Sequence, residues 1–126
     1  MTMDNCANLK FSKDHLWLRI EGSEGVVGVT DFAQNQLGDV IYVETSPVGT
    51  KIAQNDSFGT VEAVKTVSDV FMPVSGEIIA FNTELDHSPE LINKDPYGTG
   101  WIIRIRMADP REVEVLMSES DYKKLI

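Results

Sequence analysis

Of the residues able to do chemistry, Lys65 has the most informative surroundings, the stretch Gly59-Thr-Val-Glu-Ala-Val-Lys65-Thr-Val-Ser-Asp-Val-Phe-Met-Pro73-Val-Ser-Gly76. Strand-like runs on both sides leave Val64, Lys65 and Thr66 as the tightest available reversal, so the amine is expected at the tip of a protruding β-hairpin. An amine in that position is open to another enzyme. An amide formed on it would extend the lysine stem into a longer arm with many rotatable bonds. Position alone does not separate such a residue from an ordinary solubilising lysine. Glu62 and Asp69 flank the tip, either as recognition features for a modifying enzyme or as exposed charge.

The remaining reactive residue types are sparse. His15 and His87 are the only histidines, and neither has a carboxylate or cysteine partner at the spacing of a metal ligand set or a triad. His15, beside Trp17, reads as a packing residue on a strand, and Asp86, His87 and Glu90 as a loop around Pro89. No Gly-x-Gly-x-x-Gly or Walker-type phosphate loop occurs. Cys6 stands alone, which excludes an intramolecular disulfide and a cysteine-based metal site. No catalytic residue and no metal are expected, and the chain does not read as an enzyme.

These residues must be positioned by a β-rich framework. From about residue 9 to 107, short apolar or alternating runs are broken by Gly, Pro, Asn and Asp, the pattern of a sandwich or barrel. Leu16, Leu18 and Ile20 alternate with Trp17, Arg19 and Glu21, and Ile103, Ile105 and Met107 with Ile102, Arg104 and Arg106, so both read as half-buried strands. Further strands are expected over Val26 to Thr30, Val40 to Glu44, Ser57 to Val64, Val67 to Pro73 and Glu77 to Asn82. Thr30 can cap a short helix over Asp31 to Leu37 that Gly38 stops. Asp109-Pro110-Arg-Glu112 predicts a second helix through about Met117, and Ser118 with Asp121 a last one ending near Leu125.

One internal echo is present. Gly38-Asp-Val-Ile-Tyr-Val-Glu-Thr45 and Gly76-Glu-Ile-Ile-Ala-Phe-Asn-Thr83 share glycine, an acid, two branched apolar residues and threonine in register. Two similar β halves would place the intervening hairpin at one apex of a sandwich; two short strands can also match by chance.

Composition bounds the partners. The chain has 126 residues, 42% of them hydrophobic, the size and composition of one globular domain. Twenty acidic residues against eleven basic ones give a formal charge of −9, which repels phosphate backbones and suits docking on basic proteins. Neither nucleic acid nor membrane is an expected partner, and no apolar run reaches the ~20 residues that span a bilayer. Residues 1–8 contain an acid and neither arginine nor an apolar core, so they read as a mobile segment rather than a targeting peptide, with a cytoplasmic location.

The flanks of Lys65 change its reading. Val61-Glu-Ala-Val-Lys-Thr-Val-Ser-Asp69, followed by Pro73-Val-Ser-Gly76 and Asn82, resembles the lipoylation hairpin of glycine cleavage H proteins. His15-Leu-Trp17, Gly28-Val-Thr-Asp-Phe-Ala-Gln34, Leu37-Gly-Asp39, Pro89-Glu-Leu-Ile-Asn93, Pro96-Tyr97 and Gly100-Trp101 follow in the family's order, so the resemblance covers residues 9 to 124. It implies a mostly β, lipoyl-domain-like hybrid barrel-sandwich with a short internal helix and C-terminal helices, residues 9–126 forming the carrier domain. It also implies lipoate attached covalently to Lys65 by a lipoyl-attaching enzyme. The chain would be a monomeric carrier of glycine catabolism shared by three enzymes. Glycine decarboxylase would load an aminomethyl group, an aminomethyltransferase would remove it, and dihydrolipoamide dehydrogenase would reoxidise the dithiol. The alternative is an H-like lipoyl relay that donates lipoyl groups to other enzymes or serves a dedicated modifying enzyme. Biotin carriers resemble this fold but set their lysine between two methionines, where Val64 and Thr66 stand here. Phosphopantetheine carriers use a serine after aspartate at a helix start, whereas Asp56-Ser57 leads into a strand-like run.

The same resemblance implies a cleft that shelters the loaded arm beside carboxylates. Its aspartate four positions after the lysine is Asp69. Its acidic residue before the N-terminal tryptophan falls on Leu16, and a histidine often found before Leu-Gly falls on Gln36. Asp14, two residues before Leu16 and hence on the same face of a continuous strand, is the expected substitute.

Overall fold

The computed structural model describes residues 9–126. The predicted mobile segment 1–8, with Cys6, lies outside them. Among the described residues nine strands form two sheets, both antiparallel. The larger runs β1 (Leu9–Phe11), β2 (Leu16–Glu21), β3 (Glu24–Val29), β9 (Ile103–Met107), β8 (Gly76–Phe81), β5 (Lys51–Ile52). The smaller runs β4 (Val40–Thr45), β6 (Ser57–Ala63), β7 (Val67–Phe71). Leu18, Val27 and Ile103 from the first sheet meet Val43, Val61 and Val70 from the second in the main core. The expected lipoyl-domain-like sandwich is present, although the two sheets do not close into one barrel. No helix of the described residues is long and apolar enough to cross a membrane.

The strand beginning at Leu16 is not half-buried as its alternation suggests. Leu16 and Leu18 point into the main core, while Trp17 points to the opposite side and is equally buried, in a second cluster with Leu9, Phe11, Val26 and Tyr122. Its indole N–H donates to the Pro96 carbonyl at 2.9 Å. A C-terminal helix thus covers what would be a solvated sheet face, and only the far end of β2, at Ile20, emerges. There Arg104 bonds both Glu21 (2.7 Å) and Glu24 (3.0 Å), and its guanidinium, followed by that of Arg19, holds the Glu21 carboxyl below its usual range.

The helix signals were sound at two of three places. α1 (Asp31–Leu37) starts where Thr30 accepts from the Ala33 N–H at 3.1 Å, and ends where the Gly38 N–H donates to the Gln34 carbonyl. After α2 (Leu91–Lys94), α3 (Glu119–Leu125) is capped by Ser118. Between β9 and α3 the predicted helix is instead a 3₁₀ segment, Pro110–Val115, with Asp109 capping the Arg111 N–H. The cause is tertiary. Met117 exchanges two 2.8 Å main-chain bonds with Phe11, which requires extended backbone just where the helix would continue. The unpredicted 3₁₀ segment Thr83–Asp86 is capped by Asn82, whose amide also donates to the Thr99 and Trp101 carbonyls.

The echo between residues 38–45 and 76–83 has a structural counterpart. Its two copies are β4 and β8, one in each sheet. The register slips between Val40 and Tyr42 in the first and between Ile78 and Ala80 in the second, equivalent positions of the two octapeptides. Each copy therefore bulges at its second branched residue, Ile41 or Ile79, which re-aims the strand at the sheet's end.

Candidate functional site

Strands β6 and β7 pair from Ser57↔Phe71 to Glu62↔Val67, and the chain reverses through residues 63–66. The Ala63 N–H donates to the Thr66 carbonyl at 2.7 Å, closing the turn. Lys65 is at its exposed tip, as expected. Among the described residues, no hydrogen bond or ion pair engages its amine. Its stem lies against Gly38, where a Cβ would come 3.4 Å from Lys65 Cε.

Side chains alternate across the small sheet, so its register sorts the neighbours of the tip. Val43, Val61 and Val70 face the core. The other face carries one row of Tyr42, Glu62 and Val67 and a second of Glu44, Thr60 and Asp69, each row aligned across three strands. Glu62 and Asp69 thus share the solvent face below Lys65. Glu44 and Tyr42, not singled out from the sequence, join them; the signal was their alternation with Val43. Around the tip Ile41, Tyr42, Val64 and Val67 are all exposed, Val64 at 72%, forming an apolar collar beside three carboxylates.

Asp14 is placed differently. It is exposed in the turn between β1 and β2, not on the strand, so the argument that it shares a face with residue 16 does not hold. The turn is fixed by a left-handed His15 (φ 68°), whose carbonyl accepts from the Thr30 N–H at 3.1 Å. Asp14 therefore belongs to the N-terminal end of α1 and Lys65 to its C-terminal end, a helix length of about 10 Å at 1.5 Å per residue. Leu16 is 2% exposed and part of the main core, and Gln36 is exposed on α1.

His15 packs against Phe32 and Tyr122, as expected of a packing residue, but from a turn and not from a strand. Its Nδ1 lies 2.8 Å from the Tyr122 hydroxyl, which lies 2.7 Å from Thr30 Oγ1. Burial raises the Tyr122 hydroxyl above the ordinary tyrosine range, the Thr30 bond opposing part of that shift. His87 is exposed just past the Thr83–Asp86 segment.

Comparison with known proteins agrees with this geometry. Residues 9–126 match the family model described as glycine cleavage H-protein. A glycine cleavage system H protein of Salinibacter ruber is 54% identical, over 98% of this chain and 99% of that protein. One from Symbiobacterium thermophilum is 53% identical, over 92% and 91%. A crystal structure of a glycine cleavage system H protein from Mycobacterium marinum superposes with a TM-score of 0.86 at 34% identity, covering 94% of this chain and 96% of that one. An exposed lysine on a hairpin of a two-sheet fold, with family likeness along nearly its full length, leads to one conclusion: the chain belongs to the glycine cleavage H-protein family.

Proposed function

We propose that Lys65 is the residue through which the chain does its work, as the acceptor of a covalently attached lipoyl group. Membership of the family makes the chain the lipoyl carrier of the glycine cleavage system. The observation that carries the assignment to Lys65 is its unengaged, exposed amine at the apex of the β6–β7 hairpin. An amine tied up in an ion pair, or set back in a sheet, would meet a modifying enzyme poorly. The site fits the group chemically, since amide formation needs only a free primary amine and leaves a neutral linkage. When bound, the lipoyl dithiolane supplies a disulfide that can be reduced and reoxidised.

The chain's own residues supply position and recognition. The β6–β7 pairing holds the attachment point away from the core, while Glu62 and Asp69, with Glu44, offer a carboxylate face to basic partners. The net charge of −9 has the sign that steers such partners together. Glycine decarboxylase, the aminomethyltransferase, dihydrolipoamide dehydrogenase and the lipoyl-attaching enzyme are the partners we assign. We assign no catalytic acid, base or nucleophile to the described residues of the carrier. Asp69 is the better-placed carboxylate for a loaded arm, and Asp14 is reachable only if the arm runs back along α1. Intact mass of protein from its native host, followed by peptide mapping, tests the attachment. A lipoyl adduct confined to Lys65 is expected; an adduct on another lysine would overturn the assignment.

A further inference from the structure

We propose that Asn93 is a positioning residue for the Lys65 tip, holding the modified lysine in the orientation its modifying enzyme meets; this rests on Lys65 being the lipoyl acceptor. The segment Gly38-Asp39-Val40 joins α1 to β4 and passes directly beneath the tip. Asp39 contributes its carbonyl, which accepts from the Val64 N–H at 3.0 Å. Gly38 contributes the surface against which the Lys65 stem lies. Both ends of the segment are held by one side chain. Asn93 Oδ1 accepts from the Val40 N–H at 2.9 Å, and Asn93 Nδ2 donates to the Gly38 carbonyl at 2.8 Å and to Gln34 Oε1 at 3.0 Å.

The arrangement uses both amide hydrogens and the amide oxygen. Reversing the amide would set Nδ2 against the Val40 N–H, donor against donor. Gln34 cannot reverse in compensation, because its own Nε2 donates to Asp31 and Asn35. Aspartate at position 93 would keep the bond to Val40 but face the Gly38 carbonyl and Gln34 Oε1 with oxygen. The segment itself has little freedom to rearrange. Gly38 sits at φ 81°, ψ −158°, a region open essentially to glycine alone. The clamp thus fixes a turn that only glycine makes readily, the turn fixes Val64, and Val64 precedes the acceptor lysine. Asn93 is on α2, which packs against α1 and, through Ile92, against the main core, so this constraint comes from outside the hairpin's own sequence.

The test combines lipoylation kinetics with amide exchange on the full chain. Wild type and Asn93→Asp are modified by a purified lipoate ligase supplied with lipoic acid and ATP, and hydrogen exchange is read at Val64 and, as a control, at Ile103. Asn93→Asp should lower kcat about ten-fold or more, the scale expected when a reacting group is misplaced by a fraction of an ångström to an ångström. KM should stay within about two-fold because the carboxylate face of Glu62 and Asp69 is untouched. Val64 should exchange faster while Ile103 does not, and acylation of Lys65 by a small activated ester, with release of its leaving group, should be unchanged. Unaltered Val64 exchange, normal kcat despite faster exchange, or a rise in KM alone would each overturn the proposal. If Asn93→Asp fails to fold, Gly38→Ala disturbs the same segment from the other side, and retention of wild-type kcat and Val64 exchange in that variant would overturn it equally. Failure of the wild type to gain an adduct at Lys65 would instead overturn the acceptor assignment, and the Val64 exchange comparison would still decide whether Asn93 holds the tip.

Discussion

Removing one oxygen atom, in Tyr122→Phe, should cost the fold about 2 kcal/mol at neutral pH. The Tyr122 ring is buried and stacked on Phe11 at 4.7 Å, and phenylalanine preserves that contact. What is lost is the hydroxyl between Thr30 Oγ1 and His15 Nδ1. Thr30 is 0% exposed and its oxygen already accepts the Ala33 N–H, so its own hydroxyl hydrogen would have no partner. A buried hydroxyl left unpaired costs about 1–3 kcal/mol. For a domain of this size about 2 kcal/mol lowers Tm by roughly 8 °C. The penalty should also depend on pH in a defined direction. Burial raises the Tyr122 hydroxyl in the folded state, so the folded protein holds that proton more tightly than the unfolded chain. The stabilisation is then complete below the unfolded value of about 10 and is lost as pH rises through the folded value. Phenylalanine has no such proton, so the gap between wild type and variant should narrow as the pH rises above about 10. Urea melts of the two proteins at neutral and alkaline pH measure both effects. Equal stability at neutral pH, or a gap that stays constant to alkaline pH, would refute the hydrogen-bond chain as described.

Other outcomes follow from the same geometry. Lys65→Ala should abolish the lipoyl adduct by mass spectrometry while shifting stability by less than about 0.5 kcal/mol, since the tip is exposed. Gly76→Val should destabilise the sandwich by about 1–3 kcal/mol and impair lipoylation, because a Cβ at Gly76 would lie 2.7 Å from the Arg106 carbonyl oxygen across the β8–β9 pair; normal melting together with a normal modification rate would show the register to be tolerant. Hydrolysis of the aminomethylated form should quicken in Asp69→Asn. The same measurement on Asp14→Asn tests whether the loaded arm reaches the far end of α1, with an unchanged rate excluding that path.

Local signals in the chain determined a good deal. The Lys65 hairpin was legible because alternation on both sides of Val64-Lys-Thr66 leaves one place to turn, and a two-residue side-chain period fixes which face each neighbour takes. Thr30, Gly38 and Ser118 marked their helix ends because capping is a contact between residues three or four apart. Other features depended on partners far away in the chain. Trp17 looked like the exposed half of an alternating strand until α3 and the Pro96 carbonyl covered it. The 3₁₀ segment at 110–115 was cut short by Phe11, about a hundred positions earlier. Asp14 lost its presumed strand face to a left-handed turn at His15, held by a bond to Thr30. Asn93, 53 positions from Val40, gave no local sign that it clamps the turn beneath the lysine. Periodicity and caps are set by neighbours in sequence and can be read there, whereas burial of a second sheet face and a side-chain clamp on a distant turn exist only once the two sheets and α1–α3 have closed on one another.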